Sequence, residues 1–174
     1  VPDSDCETMW SIGIYDLGTK MFSYPFVSAD TNLDIGFPRF ANATNKVIAF
    51  DVVDWSDFDA NGKASSESRV FDLVAQKTLG AARTNTGTSR TSSWRIPSFV
   101  ANDKALAIQA QTDTTTTLYQ ISLDENYSFV PDTSIWLTPF QSGFAQAHRN
   151  GYLSITSKLN PNSGSLDLGT LKLG

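Results

Sequence analysis

One histidine and one cysteine in 174 residues leave little room for metal or thiol chemistry. A multi-histidine zinc site, an HExxH helix and a zinc-binding cysteine set each need more of these side chains than the chain has. The lone thiol, Cys6, has no internal partner for a disulfide. Basic residues are scarce too: 13 Lys and Arg stand against 18 Asp and Glu, a net charge of −5. Nucleic-acid binding needs clustered cations that displace counterions, so no nucleic-acid partner is expected. No apolar run approaches the roughly 18 residues of a spanning helix, so no transmembrane segment is expected. The sequence also lacks GxSxG, GxxxxGK(S/T) and GxGxxG, and no pair of carboxylates stands out for glycoside hydrolysis. Catalysis by this chain alone is not expected.

Helical periodicity is missing as well, because no window sustains apolar residues at i, i+3 and i+4. What the chain has instead is short alternating runs separated by Asn, Asp and Gly turns, the pattern of strands and hairpins. The stretch 94–129 shows the unit most clearly. A run ending at Asn102-Asp103 is followed by alternation from Ala105 to Gln111, then by Leu118-Tyr119-Gln120-Ile121-Ser122-Leu123, a turn at 124–126 and a short run at 127–130. These four segments read as strands A, B, C and D.

The unit recurs. Pro38 and Phe40 match Pro97 and Phe99 at an offset of 59, which lays Val47 on Leu106; Leu153 falls on Leu106 at an offset of 47. The C signature recurs as Tyr15-Asp16-Leu17, Phe71-Asp72-Leu73 and Tyr119-Gln120-Ile121, and weakly as Leu166-Asp167-Leu168. Repeats of this length in an all-strand pattern suggest propeller blades. The expected fold is therefore all-β, a single domain over 1–174 made of four-stranded antiparallel meanders, with blades at 9–27 (partial), 37–83, 95–130 and 144–173. That gives fourteen strands, about three and a half blades. A closed ring needs about 4 to 8 blades, and an open one exposes apolar sheet faces. A second chain or a missing segment is expected to complete it. A two-sheet sandwich is the competing architecture for short strands at regular spacing.

These positions, a strand ending in Pro-x-aromatic, an Asn turn, a buried aliphatic strand and an aromatic-x-aliphatic strand before an Asp turn, resemble the WD40-like propeller repeats of the TolB type. The resemblance implies a β-propeller and a binding or scaffold role. Phe144 replaces the proline in the last copy, and the Ser-Pro-Asp-Gly turn of that family is absent.

Val47-Ile48-Ala49-Phe50-Asp51-Val52-Val53 is dense enough in apolar residues to be a strand covered on both faces. The polar excursion after it, 54–68, contains Asp57-Phe58-Asp59-Ala60-Asn61-Gly62-Lys63. Oxygens at alternate positions before a glycine can wrap a hard cation, with the Lys63 carbonyl as the next ligand and Glu67 assisting. Calcium is the expected cofactor at Asp57, Asp59, Asn61, Lys63 and Glu67, and a solvated acidic turn is the competing reading. Trp94 and Arg95 open an A strand as a candidate ligand platform, with Trp55 beside the acidic segment; packing between sheets is the other role open to each tryptophan. The Ser-, Thr-, Asn- and Asp-rich composition points to a secreted or periplasmic protein. The functional expectation is a non-enzymatic module presenting its longer loops to a protein or glycan, and the alternative is the propeller portion of a larger hydrolase whose catalytic residues lie elsewhere.

Overall fold

The computed structural model describes residues 9–28, 30–58, 64–83, 93–111, 116–131, 135–140, 143–147, 152–159 and 166–172. Among them are thirteen strands and no helix. In chain order they are β1 (Ser11–Asp16), β2 (Met21–Val27), β3 (Leu33–Phe40), β4 (Val47–Phe58), β5 (Ala64–Asp72), β6 (Lys77–Arg83), β7 (Ser93–Val100), β8 (Ala105–Gln111), β9 (Thr116–Ser122), β10 (Ile135–Phe140), β11 (Gly143–Ala147), β12 (Tyr152–Leu159) and β13 (Leu166–Lys172). Each pairs antiparallel with its sequence neighbour, giving four meanders: β1-β2, β3-β4-β5-β6, β7-β8-β9-β10 and β11-β12-β13.

The second meander is covered on both faces, as the apolar density of β4 predicts. Successive side chains of a strand point to opposite faces. Ile48, Phe50 and Val52 meet Ile12 and Phe26 of the first meander, whereas Val47 and Ala49 meet Phe99, Leu106 and Ile108 of the third. Three layers therefore stack in chain order, and β11 of the fourth lies against β7.

The ladders correct the repeat alignment. Phe40 pairs with Ile48 and Phe99 pairs with Leu106, so the B strands correspond at an offset of 58, not 59. A one-residue slip exchanges the two faces of a strand. At 58, Leu106 and Ile108 occupy the places of Ile48 and Phe50, and both pairs face the preceding meander. The C strands shift as well: Phe71 opposes Ile48 and Ile121 opposes Leu106, so Ile121, not Tyr119, is the counterpart of Phe71.

Strand bounds differ in three places. The fourth strand of the third meander is β10, which sequence alone reads as a lead-in, while 127–130 is a loop segment tied down by a single Leu123–Phe129 bridge. The segments read as separate C and D strands of the last copy are one strand, β13. Most of the excursion 54–68 is strand, because β4 and β5 run on as a hairpin to the Phe58–Ala64 pair.

Bulges place the prolines. In β3 the residues Phe37 and Pro38 lie between the Gly36–Asp51 and Arg39–Ala49 pairs, and in β7 Ile96 and Pro97 lie between Arg95–Gln109 and Ser98–Ala107. Proline donates no hydrogen bond and is tolerated in an edge strand at a bulge, which is where both prolines fall.

The β1-β2 and β5-β6 turns are copies at an offset of 56. Asp16 Oδ1 accepts from the N–H of Gly18 (2.8 Å) and Thr19 (2.7 Å), and Asp72 Oδ1 from Val74 (2.8 Å) and Ala75 (2.9 Å). The donors at Thr19 and Ala75, foremost among others, hold both carboxyls below the ordinary range. Their stabilising contribution is thus present above the unfolded carboxylate pKa and is lost as pH falls through the lowered folded value. Each turn ends on a left-handed residue, Lys20 (φ 61°) or Gln76 (φ 51°). A side chain there costs about 1–2 kcal/mol, while glycine adds freedom to the unfolded chain. Gln76→Gly is expected to stabilise the chain by about 0.5–1 kcal/mol, read as a raised midpoint in urea; a lowered midpoint would show that the strain is not released.

Phe129 closes the junction between the second and third meanders by lying over Gly80 of β6. A Cβ built on Gly80 would approach Phe129 Cδ2 to 2.6 Å and its backbone nitrogen to 3.3 Å. Ser128 Oγ, next to it, donates to the Leu79 carbonyl at 3.2 Å. Gly80→Ala is therefore expected to cost about 1–3 kcal/mol through overpacking, and Phe129→Leu in the same chain should recover part of it. Equal stability of Gly80→Ala and the parent would show that the loop carrying Phe129 gives way freely.

Candidate functional site

The structure describes some of the predicted site residues. Trp55 stands on the β4 extension, half exposed; its backbone N–H donates to the Asn32 carbonyl (2.8 Å) and its indole Nε1–H to Asp34 Oδ2 (2.6 Å). The polar edge of the ring is satisfied by that bond. Trp94 and Arg95 lie on β7 opposite Ala110 and Gln109, where the backbone alone is described. Asp57 is exposed near the end of β4. Asp59, Asn61 and Lys63 lie outside the described residues.

Glu67 stands on β5 opposite Val52, buried, where it accepts a hydrogen bond from Arg69 Nε. Its carboxylate is engaged within the sheet, three residues in from the Phe58–Ala64 pair that closes the hairpin. Among the described residues no three His, Cys, Asp or Glu side chains gather as metal ligands.

The most distinctive exposed surface is one the sequence reading did not single out. The outward face of β1-β2 carries Tyr15, Phe22 and Tyr24 in a row, with ring centroids 4.8 Å apart between Tyr15 and Phe22 and 6.5 Å between Phe22 and Tyr24. Phe22 and Tyr24 are nearly parallel at 14°. Phe22 is 64% exposed and Tyr24 61%. The Tyr24 ring lies over Gly13, where an added Cβ would come within 3.2 Å of Cε1.

A bulge makes this face. Phe22, Tyr24 and Phe26 have the same parity and in a regular strand would share one side. Between the Ile12–Phe26 and Ile14–Ser23 pairs, however, Tyr24 and Pro25 oppose Gly13 alone. The extra residue reverses the phase, so Phe26 turns inward against Phe50 (5.0 Å) and Phe71 (5.2 Å) while Phe22 and Tyr24 face out. The signal available in sequence is the run Phe22-Ser23-Tyr24-Pro25-Phe26, whose proline marks a break in pairing.

A second buried polar constellation links neighbouring turns. The Asp103 carboxylate, buried, accepts from Asn42 N (2.9 Å), Asn42 Nδ2 (2.8 Å) and Ala43 N (2.6 Å). It joins the β7-β8 turn to the β3-β4 turn of the preceding meander, and it is a structural tie rather than a reactive group. Asn42 Nδ2 also donates to the Phe99 carbonyl (3.3 Å). No protein-family model matches this chain, and no curated protein matches it either.

Proposed function

We infer that the chain is a non-enzymatic binding or scaffold module, about half of a TolB-like β-propeller, acting outside the cytoplasm. The observation that supports this most is the repeated stacking register: Ile48 and Phe50 in one meander and Leu106 and Ile108 in the next each turn toward the meander before it. Stacking in one consistent direction is what successive blades of a ring require, and it differs from a sandwich, in which each sheet keeps one face for solvent.

In this reading the partner, a protein or a glycan, meets the end of the stack that carries the β4-β5 hairpin tip, Trp55, Trp94 and Arg95. Rigid sheets with binding groups on their connections are a common arrangement of such modules. A calcium ion held by Asp57, Asp59, Asn61 and the Lys63 carbonyl would stiffen the tip; Glu67, engaged by Arg69, is left out of that set. A second chain or a missing segment completes the ring.

Calorimetry against a panel of soluble oligosaccharides and a binding screen against extracellular proteins test the role. Trp55→Ala combined with Trp94→Ala is expected to weaken the selected interaction at least about tenfold. Unchanged affinity in that double variant would overturn the assignment of this end.

A further inference from the structure

The sequence holds the N-x-(S/T) triplets Asn42-Ala43-Thr44 and Asn126-Tyr127-Ser128. Such a triplet is an acceptor for an N-linked glycan when the chain passes through a glycosylating compartment. The structure treats the two amides differently.

Asn42 is engaged. Its Nδ2 carries two N–H groups, and two acceptors face it: the buried Asp103 carboxylate at 2.8 Å and the Phe99 carbonyl at 3.3 Å. A glycan takes the place of one of those hydrogens. One N–H would then remain for two acceptors, and a sugar would stand where the β3-β4 and β7-β8 turns meet. Glycosylation of Asn42 and closure of that tie are incompatible.

Asn126 is the opposite case. It is exposed in the hairpin 124–128, which the Leu123–Phe129 bridge closes. The loop is held by the residue two positions earlier. Asp124 Oδ1 accepts from the N–H groups of Asn126 and Ser128, both at 2.8 Å, while the Asp124 carbonyl accepts from Tyr127 N–H at 3.1 Å. The Tyr127 ring meets Phe99 edge-on, and Ser128 Oγ donates to the Leu79 carbonyl. These neighbours all anchor the loop, whereas the Asn126 side chain makes no hydrogen bond among the described residues. Replacing one of its amide hydrogens takes no bond from the fold.

We propose that Asn126, and not Asn42, is an N-glycan acceptor of this chain. The donor is an oligosaccharide carried on a lipid diphosphate. The bond from Asn126 Nδ2 to the anomeric carbon forms, and the bond from that carbon to the diphosphate oxygen breaks. Its electron pair leaves on the lipid diphosphate, and the amide gives up one proton to base. The inference rests on the extracytoplasmic reading above, since acceptor triplets are used in secreted chains.

Antiparallel neighbours alternate direction, so the β3-β4, β5-β6 and β7-β8 turns lie at one end of the sheets and the β4-β5 hairpin tip at the other. Leu123 N–H donates to the Lys104 carbonyl at 2.8 Å, which fixes the Asn126 hairpin at the turn end. The glycan therefore shields that end and leaves Trp55 and the hairpin tip clear.

Directing the chain into a eukaryotic secretory pathway and mapping the glycopeptides of the folded product by mass spectrometry tests the proposal. The expected result is a glycan at Asn126 and none at Asn42. Asn126→Gln should lose the mass of that glycan while the chain stays folded, and Ser128→Thr, which keeps the hydroxyl of the triplet, should retain it. A bare Asn126 in the secreted protein would overturn the proposal. A glycan on Asn42 in chains that melt like the parent would overturn the exclusion of that residue. A glycan found at Asn126 after directed secretion, but absent from the protein of its natural source, would leave the acceptor site standing and overturn only its passage through a glycosylating compartment.

Discussion

Phe50→Ala is expected to destabilise the chain by about 3–5 kcal/mol, the range for emptying a fully buried aromatic site. Phe50 is 0% exposed, with the rings of Phe26 and Phe71 centred 5.0 and 6.2 Å from its own. The alanine loses the transfer free energy of the ring and leaves a space that two aromatics anchored on different strands cannot both move to fill. Total stabilities of domains lie near 5–15 kcal/mol, so this single change is large enough to leave a substantial unfolded fraction. Tyr15→Ala provides the contrast. Its side chain takes in the first meander the place that Phe71 takes in the second, has no sheet over it among the described residues, and its removal should cost less than about 1 kcal/mol. Urea unfolding of both variants at low protein concentration measures the difference. Comparable losses would mean that the outward face of β1-β2 is already covered in the single chain.

The same residues show what the sequence could reveal. The composition of β4 disclosed a strand buried on both sides, since Ile48, Phe50 and Val52 alternate with Val47, Ala49 and Val53 and no polar face remains apart from Asp51. Asp51 is satisfied by Ser68 Oγ at 2.8 Å, from the residue directly opposite. Turn chemistry was legible for an equally local reason, because Asp16 and Asp72 bond to backbone two and three residues ahead. Register was not legible. The offset of 58 is set by which backbone groups meet across the ladder and by one residue more or less in a turn, and apolar residues at both 47 and 48 let either alignment look acceptable.

Bulges hid the candidate face in the same way. Without the extra residue at Tyr24-Pro25 the aromatic residues of β2 would share one side, and only the pairing with Gly13 reveals the reversal. The run 127–130 resembles a strand in composition, yet Tyr127 adopts φ 62° and Phe129 serves to fill the space above Gly80. Tertiary packing outweighed local propensity there. At the acidic segment, alternating oxygens were visible in sequence, but the engagement of Glu67 by Arg69, two residues away on the same strand face, was not.

The second large effect is expected at Asp103. Its carboxylate, 5% exposed, accepts three hydrogen bonds from Asn42 and Ala43, about 60 positions earlier in the chain. It also sits in a turn in which Ala101, Asn102 and Asp103 all have left-handed backbones, at φ 51°, 54° and 66°. Such conformations are unfavourable for residues other than glycine, although Asn and Asp bear them best. The bonds across to the preceding meander offset that cost. Asp103→Ala removes the acceptor, strands two partly buried N–H groups, and leaves the turn strained without compensation. Each stranded donor costs about 1–3 kcal/mol, so a loss of about 2–4 kcal/mol is expected, with Asp103→Asn intermediate because one acceptor oxygen survives. Tyr127 supplies a readout that general destabilisation would not move. Burial first, and the nearby Asp103 charge second, push its phenol above the ordinary tyrosine value. The fold therefore favours the neutral phenol, a contribution that is present below the unfolded tyrosine pKa and lost as pH rises through the raised folded one. In Asp103→Ala the second cause is gone and burial remains, so the Tyr127 titration, followed by NMR of its ring, should move down without reaching the unfolded value. A stability loss with an unmoved titration would mean that the carboxylate is not seated beside Tyr127. A titration that moves while stability holds would mean that the tie between the two turns contributes little, and that the apolar junction around Phe99, Leu106 and Ile108 alone keeps the second and third meanders together.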